Sequence, residues 1–285
     1  MFYTIRDIFL DALIDSVKML PFLFFAFLVM EFFEHKAGGK LTGFLQKCGN
    51  SHVAGPLAGA AVGIIPQCGF SVAASNLYSG RMITIGTLMA VYLSTSDEAV
   101  PVLLANPESA GLIWKLLLAK FLIAVTAGII IDIIAKVFKL GKKDEPFAEI
   151  CTSCGCGEHG IFYSSAKHTI NIFCFIFAVN IILTGVFTFV GEERVAVFLQ
   201  QFKMVQPFVA AFVGLVPNCA ASVVITQLYA EGGITFGSAV AGLLTSAGVG
   251  IVVLFRTNKN TKENILILAL LYVVGVLSGS IINLI

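Results

Sequence analysis

A short motif inside an apolar run constrains this chain most, because it occurs twice. Residues 64–71 read IIPQCGFS, and residues 215–222, which follow 151 positions later, read LVPNCAAS. Each copy places a proline, an amide, a cysteine and a serine in an otherwise apolar stretch. Proline breaks a helix, and inside a bilayer a broken helix is tolerated only where it lines a protein cavity. Paired breaks in matching halves therefore point to a transporter's binding site.

The composition places this motif in a membrane protein. Hydrophobic residues make up 58% of the 285 positions and charged residues only 12%, too few charges to cover a soluble protein of this length. Apolar stretches long enough to cross a bilayer recur along the chain. Charged residues near the start argue against a cleavable signal peptide and favour an amphipathic interfacial helix. The net charge of +1 offers no basic surface for nucleic acid.

The motif belongs to a longer internal repeat. Residues 56–104 align with residues 207–255 without a gap and share 17 identities in 49 positions, whereas composition alone gives roughly five. We therefore expect a duplicated half. The predicted organisation is a first membrane repeat at 1–138, a cytoplasmic Cys/His-rich linker at 139–163 and a second membrane repeat at 164–285.

Loop charges predict how each half crosses the membrane. Each half has four apolar blocks, the second of which contains the proline. Basic residues cluster at 36–47, 136–143 and 256–262, and the positive-inside rule puts these clusters in the cytoplasm. They share one side only if the proline-broken block enters and leaves on the same face, as a re-entrant hairpin. A single crossing with an ordinary proline kink is the alternative.

The predicted fold is therefore an all-α polytopic membrane protein built from two inverted-topology repeats. Each repeat has three full spans plus a proline-broken re-entrant hairpin, which gives ten helical segments. Both termini are expected outside the cytoplasm and the linker inside it. The oligomeric state cannot be inferred from the sequence.

Polar side chains around the two breaks form the predicted substrate site. A lone cysteine in a membrane helix is usually a small apolar filler, but two cysteines at equivalent positions after a proline favour contact with substrate. Thiolates prefer soft ions, whereas amide and hydroxyl oxygens prefer harder ones. The candidate substrate-binding residues are Gln67, Cys68, Ser71, Ser94, Asn218, Cys219, Ser222 and Thr245.

A carboxylate pair, Asp97 and Glu98, interrupts the third block of the first half within STSDEAVP. Counted from Arg81 along a continuous helix, Asp97 lies about 24 Å into the membrane, where charges normally mark an ion path or proton relay. We expect the pair to couple transport to protons or to bind a cation, with Glu31 as a further candidate. The second half has TSAGVG here, which predicts an asymmetric site. The alternative places all three carboxylates at the membrane interface.

The linker carries three thiols and an imidazole within nine residues, at Cys151, Cys154, Cys156 and His159. This set suits Zn, Cu(I) or trivalent arsenic, and a reducing cytoplasm makes a disulfide the weaker interpretation. The cluster is too compact for a zinc finger with the usual long insert. It is expected to collect or sense a metal ion, while transport itself requires no cofactor.

These features together resemble a known family. The two Pro-x-Cys breaks, the STSDEAVP segment and the Cys/His-rich linker are similar to those of ten-transmembrane heavy-metal exporters, which include arsenic efflux proteins and manganese transporters. The arsenical permeases are more distantly similar. The resemblance covers nearly the whole chain and implies export of a metal or metalloid through the bacterial cytoplasmic membrane.

The sequence as a whole favours a secondary transporter whose partners are membrane lipid, the metal or metalloid substrate and, as a candidate coupling ion, the proton. Carboxylates favour Mn(II), whereas cysteines beside half-helix N-termini favour a neutral or anionic arsenic species. An enzyme is disfavoured because no Ser/His/Asp set or nucleotide loop is present. Two alternatives are a proton-coupled exporter of a small organic anion and a membrane-bound metal sensor.

Overall fold

The computed structural model describes residues 51–65, 68–95, 99–100, 103, 110–137, 161–190 and 205–284, together with nine positions between 9 and 28. Every regular element in this part of the chain is an α-helix. The helices are α1 Ala54–Gly63, α2 Cys68–Ser79, α3 Ile85–Ser94, α4 Ala110–Val137, α5 Ile161–Val190, α6 Gln206–Gly214, α7 Cys219–Ala230, α8 Phe236–Thr245, α9 Gly250–Thr257 and α10 Thr261–Leu284.

Among the described residues, three segments are long and apolar enough to cross a membrane, at 111–137, 236–257 and 261–284. The first and last expose much of their apolar surface, as at Trp114, which is 72% exposed. Large apolar side chains remain exposed on a long apolar helix when they face lipid instead of water. The all-helical membrane class expected from the sequence is therefore confirmed.

The helix bounds repeat at the offset of the sequence repeat. The helices α2 and α7 begin at Cys68 and Cys219, which are 151 residues apart. The start of α8 lies 151 residues after the start of α3, and the ends of these two helices differ by the same number. The helices α4 and α10 also begin at equivalent positions. In the described ranges α2, α3 and α4 thus correspond to α7, α8 and α10.

The apolar block that contains the proline is interrupted in both halves. The helix α1 ends at Gly63, and the next helix begins at Cys68. In the second half α6 ends at Gly214, and α7 begins after Pro217, with Asn218 as its N-cap. A proline lacks the amide hydrogen that a continuous helix needs, so the break falls where the sequence predicts it.

A second interruption was not predicted. The helix α3 ends at Ser94, and Thr95 leaves the helical region with φ −56° and ψ 129°. In the second half α8 ends at Thr245, and α9 begins only at Gly250. The depth of about 24 Å for Asp97 assumed one continuous helix from Arg81. That assumption is wrong, because α3 ends at Ser94.

Small residues bring α1 and α3 together. A methyl group added at Gly59 would lie 2.9 Å from the carbonyl oxygen of Thr87, and one added at Gly63 would lie 2.7 Å from that of Val91. Later residues of α1 thus meet later residues of α3, so the two helices run in the same direction. In the second half Gly214 packs against α8 in the same way. Small residues allow this close backbone approach.

The long helices run opposite to the buried ones. Gly128 of α4 packs against Gly86 near the start of α3, whereas Lys120, earlier in α4, contacts Thr95 at the end of α3. Every residue of α3 is buried, and so is every residue of α8 from its second position onward. The core therefore centres on α3 and α8, with α4 and α10 packed against them.

The helix α9 connects the two halves by packing along α2. A methyl group at Gly250 would lie 2.7 Å from the side chain of Ser71, and the hydroxyls of Thr257 and Ser79 are 2.7 Å apart. Early residues meet early residues and late residues meet late ones. The two helices therefore run in the same direction.

The helix α10 runs back along both α9 and α8. Asn258 directly follows α9, and its Nδ2 donates a hydrogen bond to Asn264, an early residue of α10, at 2.8 Å. Gly275, a later residue of α10, packs against Thr245 at the end of α8. The two contact points on α10 are about 16 Å apart along a straight helix, so the chain advances by that distance between Thr245 and Asn258.

Candidate functional site

Asn218 occupies the break in the second half and leaves one donor unpaired. Its Oδ1 accepts a hydrogen bond from the backbone nitrogen of Ala220 at 3.0 Å, which caps α7 and fixes the amide orientation. Its Nδ2 is buried and has no hydrogen-bond partner in the described part of the chain, although the residue is only 9% exposed. A buried unpaired donor costs about 1–3 kcal/mol. A ligand with an acceptor atom would remove this cost.

The N-terminus of α7 adds to this donor. The first amide groups of a helix have no partner within the helix and carry a partial positive charge. Asn218 caps one of them, and its own Nδ2 is buried next to the start of the helix. Donors of this kind can bind an oxygen atom of an anion or of a neutral hydroxide.

The two predicted thiols begin equivalent helices. Cys68 is the first residue of α2, and Cys219 is the first residue of α7. Their side chains, and all of Gln67, lie outside the described residues. Contact of the thiols with each other or with substrate stays a prediction.

The predicted serines Ser71 and Ser222 lie one turn into these helices and are buried. The carbonyl oxygen of Ser71 accepts a hydrogen bond from Ser75 Oγ at 2.6 Å, and that of Ser222 accepts one from Thr226 Oγ1 at 2.6 Å. The repeat therefore extends to individual hydrogen bonds. Ser71 also forms the contact with α9 described above.

The predicted hydroxyls of Ser94 and Thr245 are turned toward backbone. Ser94 Oγ donates to the carbonyl oxygen of Ala90 at 2.8 Å. Thr245 Oγ1 lies 2.8 Å from the carbonyl oxygen of Ala211 in α6 and 2.9 Å from that of Gly242. In this conformation both hydroxyls are hydrogen-bonded to backbone at the ends of the buried helices.

A polar cluster of Ser75, Tyr92 and Gly250, which the sequence did not reveal, joins the two halves. The hydroxyl of Tyr92 is 2.6 Å from Ser75 Oγ and donates to the carbonyl oxygen of Gly250 at 3.2 Å. The positions equivalent to Ser75 and Tyr92 in the second half are Thr226 and Leu243. The cluster thus lacks its phenol in the second repeat, which makes the two halves chemically unequal.

A buried lysine was also missed. Lys120 is fully buried in α4, and its Nζ donates to the carbonyl oxygen of Leu243 at 2.7 Å and to that of Thr95. A basic residue within an apolar membrane span is itself a signal of function. The sequence does not identify its partners, because they lie 25 and 123 residues away along the chain.

The remaining predicted residues lie outside the described residues. These are the carboxylates and linker residues Glu31, Asp97, Glu98, Cys151, Cys154, Cys156 and His159. Within the described ranges no group of three or more His, Cys, Asp or Glu residues could hold a metal ion. The coupling and linker-metal assignments stay predictions.

A comparison with protein families identifies the family of the chain. The chain matches the model of the ArsP_2 family, described as "Putative, 10TM heavy-metal exporter", over residues 4–190 and over residues 159–285, which together cover nearly its whole length. No curated protein matches the chain. No solved structure matches it either.

Proposed function

The chain belongs to the ten-transmembrane heavy-metal exporter family, and from this premise we propose that it is a secondary transporter that exports a metalloid or heavy-metal species with the substrate bound between its two Pro-x-Cys breaks. The observation that carries the proposal is the buried Nδ2 of Asn218 at the broken helix, which has no hydrogen-bond partner among the described residues. An exporter needs a polar site within its apolar core, and this donor provides one.

The helix directions support a re-entrant hairpin in each half. The helices α1 and α3 run in the same direction, and short links at 64–67 and 80–84 join α2 to them. A helix that leads from the end of α1 to the start of α3 has to run the opposite way. The break at Pro66 would then be the tip of a hairpin, as a broken helix near a transporter's substrate would be.

The contacts between the halves support an inverted repeat. The helices α8 and α9 advance in one direction as a single interrupted crossing, and α9 runs parallel to α2. Since α2 runs opposite to α3, α8 also runs opposite to α3. Equivalent helices with opposite directions are the mark of inverted topology.

The charges at the helix ends support a cytoplasmic side. Arg81 follows α2 and pairs with Glu263 in the first turn of α10, so these two helix ends lie on one side of the membrane. The same loop region carries Arg256, Lys259 and Lys262. By the positive-inside rule this side is the cytoplasm, and the first hairpin would open toward it.

The donor character of the site favours one class of substrate. The amide hydrogens of Asn218 and the helix N-terminus bind oxygen acceptors, and the nearby cysteines add soft ligands if they point inward. A trivalent arsenic or antimony hydroxide carries both oxygen acceptors and a thiol-seeking centre. This class therefore fits better than a bare divalent cation such as Mn(II). The carboxylates Asp97 and Glu98 are proposed to couple its export to protons.

The same donors would also bind a carboxylate, so export of a small organic anion is the second candidate. Flux into proteoliposomes that contain the full chain separates the two, with arsenite, antimonite, Mn(II), Zn(II) and a set of small carboxylates as the test substrates. We expect arsenite or antimonite flux that is lost in the Cys68→Ser/Cys219→Ser double variant. Cys174→Ser is the matched control, because Cys174 is exposed on α5.

Three results would contradict the proposal. Carboxylate flux with no metalloid flux would favour the organic anion. Unchanged metalloid flux in the double variant would remove the thiols from the substrate site. The complete absence of flux, with metal binding to the linker at Cys151–Cys156, would favour a sensor.

A further inference from the structure

Lys120 lies where the ends of the two buried helices meet. Its Nζ is hydrogen-bonded to the carbonyl oxygens of Thr95, just after α3, and of Leu243, in the last turn of α8. The side chain is fully buried, and so are its neighbours one turn away on α4, Leu116 and Ala124. One ammonium group thus bridges two helix ends that belong to different repeats.

The helix ends explain why a positive charge is stable there. The last four carbonyl groups of a helix have no partner within the helix, and they carry a partial negative charge. Leu243 contributes one of these carbonyls, while Thr95 contributes the carbonyl immediately beyond the end of α3. A buried charge in an apolar span costs several kcal/mol without such partners. The two carbonyls therefore stabilise a positive charge between the helix ends.

The second repeat has no such charge. The position equivalent to Lys120 is Leu271 in α10, which is also fully buried. Two equivalent positions on the inner faces of α4 and α10 thus carry a cation in one half and an isobutyl group in the other. Packing of the long helix does not require a charge here, because Leu271 packs at the equivalent position. We therefore relate the charge of Lys120 to the ends of α3 and α8 that it contacts.

We propose that the Lys120 ammonium occupies a built-in monovalent cation site formed by the carbonyl ends of α3 and α8. Unwound carbonyls at the ends of interrupted helices bind alkali cations in membrane transporters, and here the chain supplies the cation covalently. The wild-type protein consequently needs no free alkali cation at this place. Removal of the side chain opens the site to a small cation from solution.

The test uses the purified full chain and its melting temperature in detergent. Lys120→Ala is measured in the chlorides of Na⁺, K⁺, methylammonium and the bulky cation N-methylglucamine at equal ionic strength. We expect a melting temperature several degrees higher in at least one small cation, with saturation as its concentration rises. Wild-type protein should show no such difference. Leu271→Ala is the matched control, because it removes an equally buried side chain at the equivalent position of the other repeat.

The absence of a cation-dependent shift in Lys120→Ala, or an equal shift in Leu271→Ala, would overturn the proposal. If Lys120→Ala cannot be isolated in any salt, Lys120→Arg and Lys120→Met decide. If the site requires a cation, the arginine variant should elute as a single species in size-exclusion chromatography. The methionine variant, which is similar in size but uncharged, should not. A methionine variant as stable as wild type in N-methylglucamine chloride would show that no cation is needed. These stability measurements do not depend on which substrate is transported.

Discussion

Asp132 accepts a hydrogen bond from the backbone nitrogen of Gly86 at 2.8 Å. The equivalent pair in the second repeat is Asn283 and Gly237, at 3.1 Å. In both halves a side chain near the end of a long helix satisfies an amide group in the first turn of a buried helix, which has no partner within that helix. A carboxylate and an amide thus perform the same structural task, although only the carboxylate carries charge.

This relationship predicts unequal effects of two substitutions at Asp132. Asp132→Asn keeps an oxygen acceptor for Gly86. Its NH2 group replaces the oxygen that accepts from Thr84 Oγ1 at 2.6 Å, and a hydroxyl can accept as well as donate, so the melting temperature should change little. Asp132→Ala leaves the buried nitrogen without its acceptor and should cost about 1–3 kcal/mol. Asn283→Ala is the control in the other half. If the asparagine variant loses as much stability as the alanine variant, the charge near His52 matters more than the cap.

Asn218 combines a cap with a donor that has no partner in the described part of the chain, and two variants separate these roles. Asn218→Asp keeps the oxygen that accepts from Ala220 but removes the amide hydrogens. We expect a melting temperature close to wild type and a KM for the transported species raised at least about tenfold, which corresponds to about 1.4 kcal/mol. Asn218→Ala should lose both stability and transport. Wild-type KM in Asn218→Asp would exclude the donor from the substrate site.

Close backbone packing predicts strong sensitivity at Gly86. A methyl group there would be 2.7 Å from Oδ1 of Asp132 and closer still to the carbonyl oxygen of Gly128. Gly86→Ala should therefore destabilise the protein by about 1–3 kcal/mol through overpacking. Gly185→Ala in α5 is the control, because no described atom lies within 4 Å of the added methyl group. Equal thermal stability of the two variants would contradict the observed helix approach.

Arg81 adopts a left-handed backbone conformation with φ 60°, where the second repeat has Gly232. Its guanidinium makes two hydrogen bonds to the carboxylate of Glu263, at 3.1 and 3.2 Å. The conformation costs an arginine about 1–2 kcal/mol relative to glycine, so the ion pair between the repeats offsets strain. Arg81→Gly alone should thus have a small net effect on stability.

A double-mutant cycle of Arg81→Gly with Glu263→Gln measures the pair itself. We expect Glu263→Gln to reduce the free energy of unfolding by on the order of 1 kcal/mol in the wild-type background and by much less once Arg81→Gly is present. Equal costs in both backgrounds would mean that the pair contributes no coupling. Denaturant or thermal unfolding in detergent provides the four values.

Local chain chemistry explains which features the sequence predicted. The first interruption coincides with Pro66 and Pro217, because a proline cannot donate the hydrogen bond that a helix interior requires. The second interruption has no proline in the second repeat, where residues 246–249 read SAGV. It was missed because hydroxyl side chains and glycine weaken a helix without excluding it. The positive φ that Gly248 adopts in the folded chain cannot be inferred from the sequence.

The sequence by itself determined the membrane class, the duplication, the proline breaks and the family, because each depends on composition or on residues close together in the chain. The tertiary structure decided which distant groups meet. Lys120 bridges Thr95 and Leu243, and Tyr92 reaches Gly250 across 158 residues. Hydrogen bonds of this kind depend on how helices from both repeats pack, and apolar periodicity reveals only that a helix is buried, not which helix lies against it.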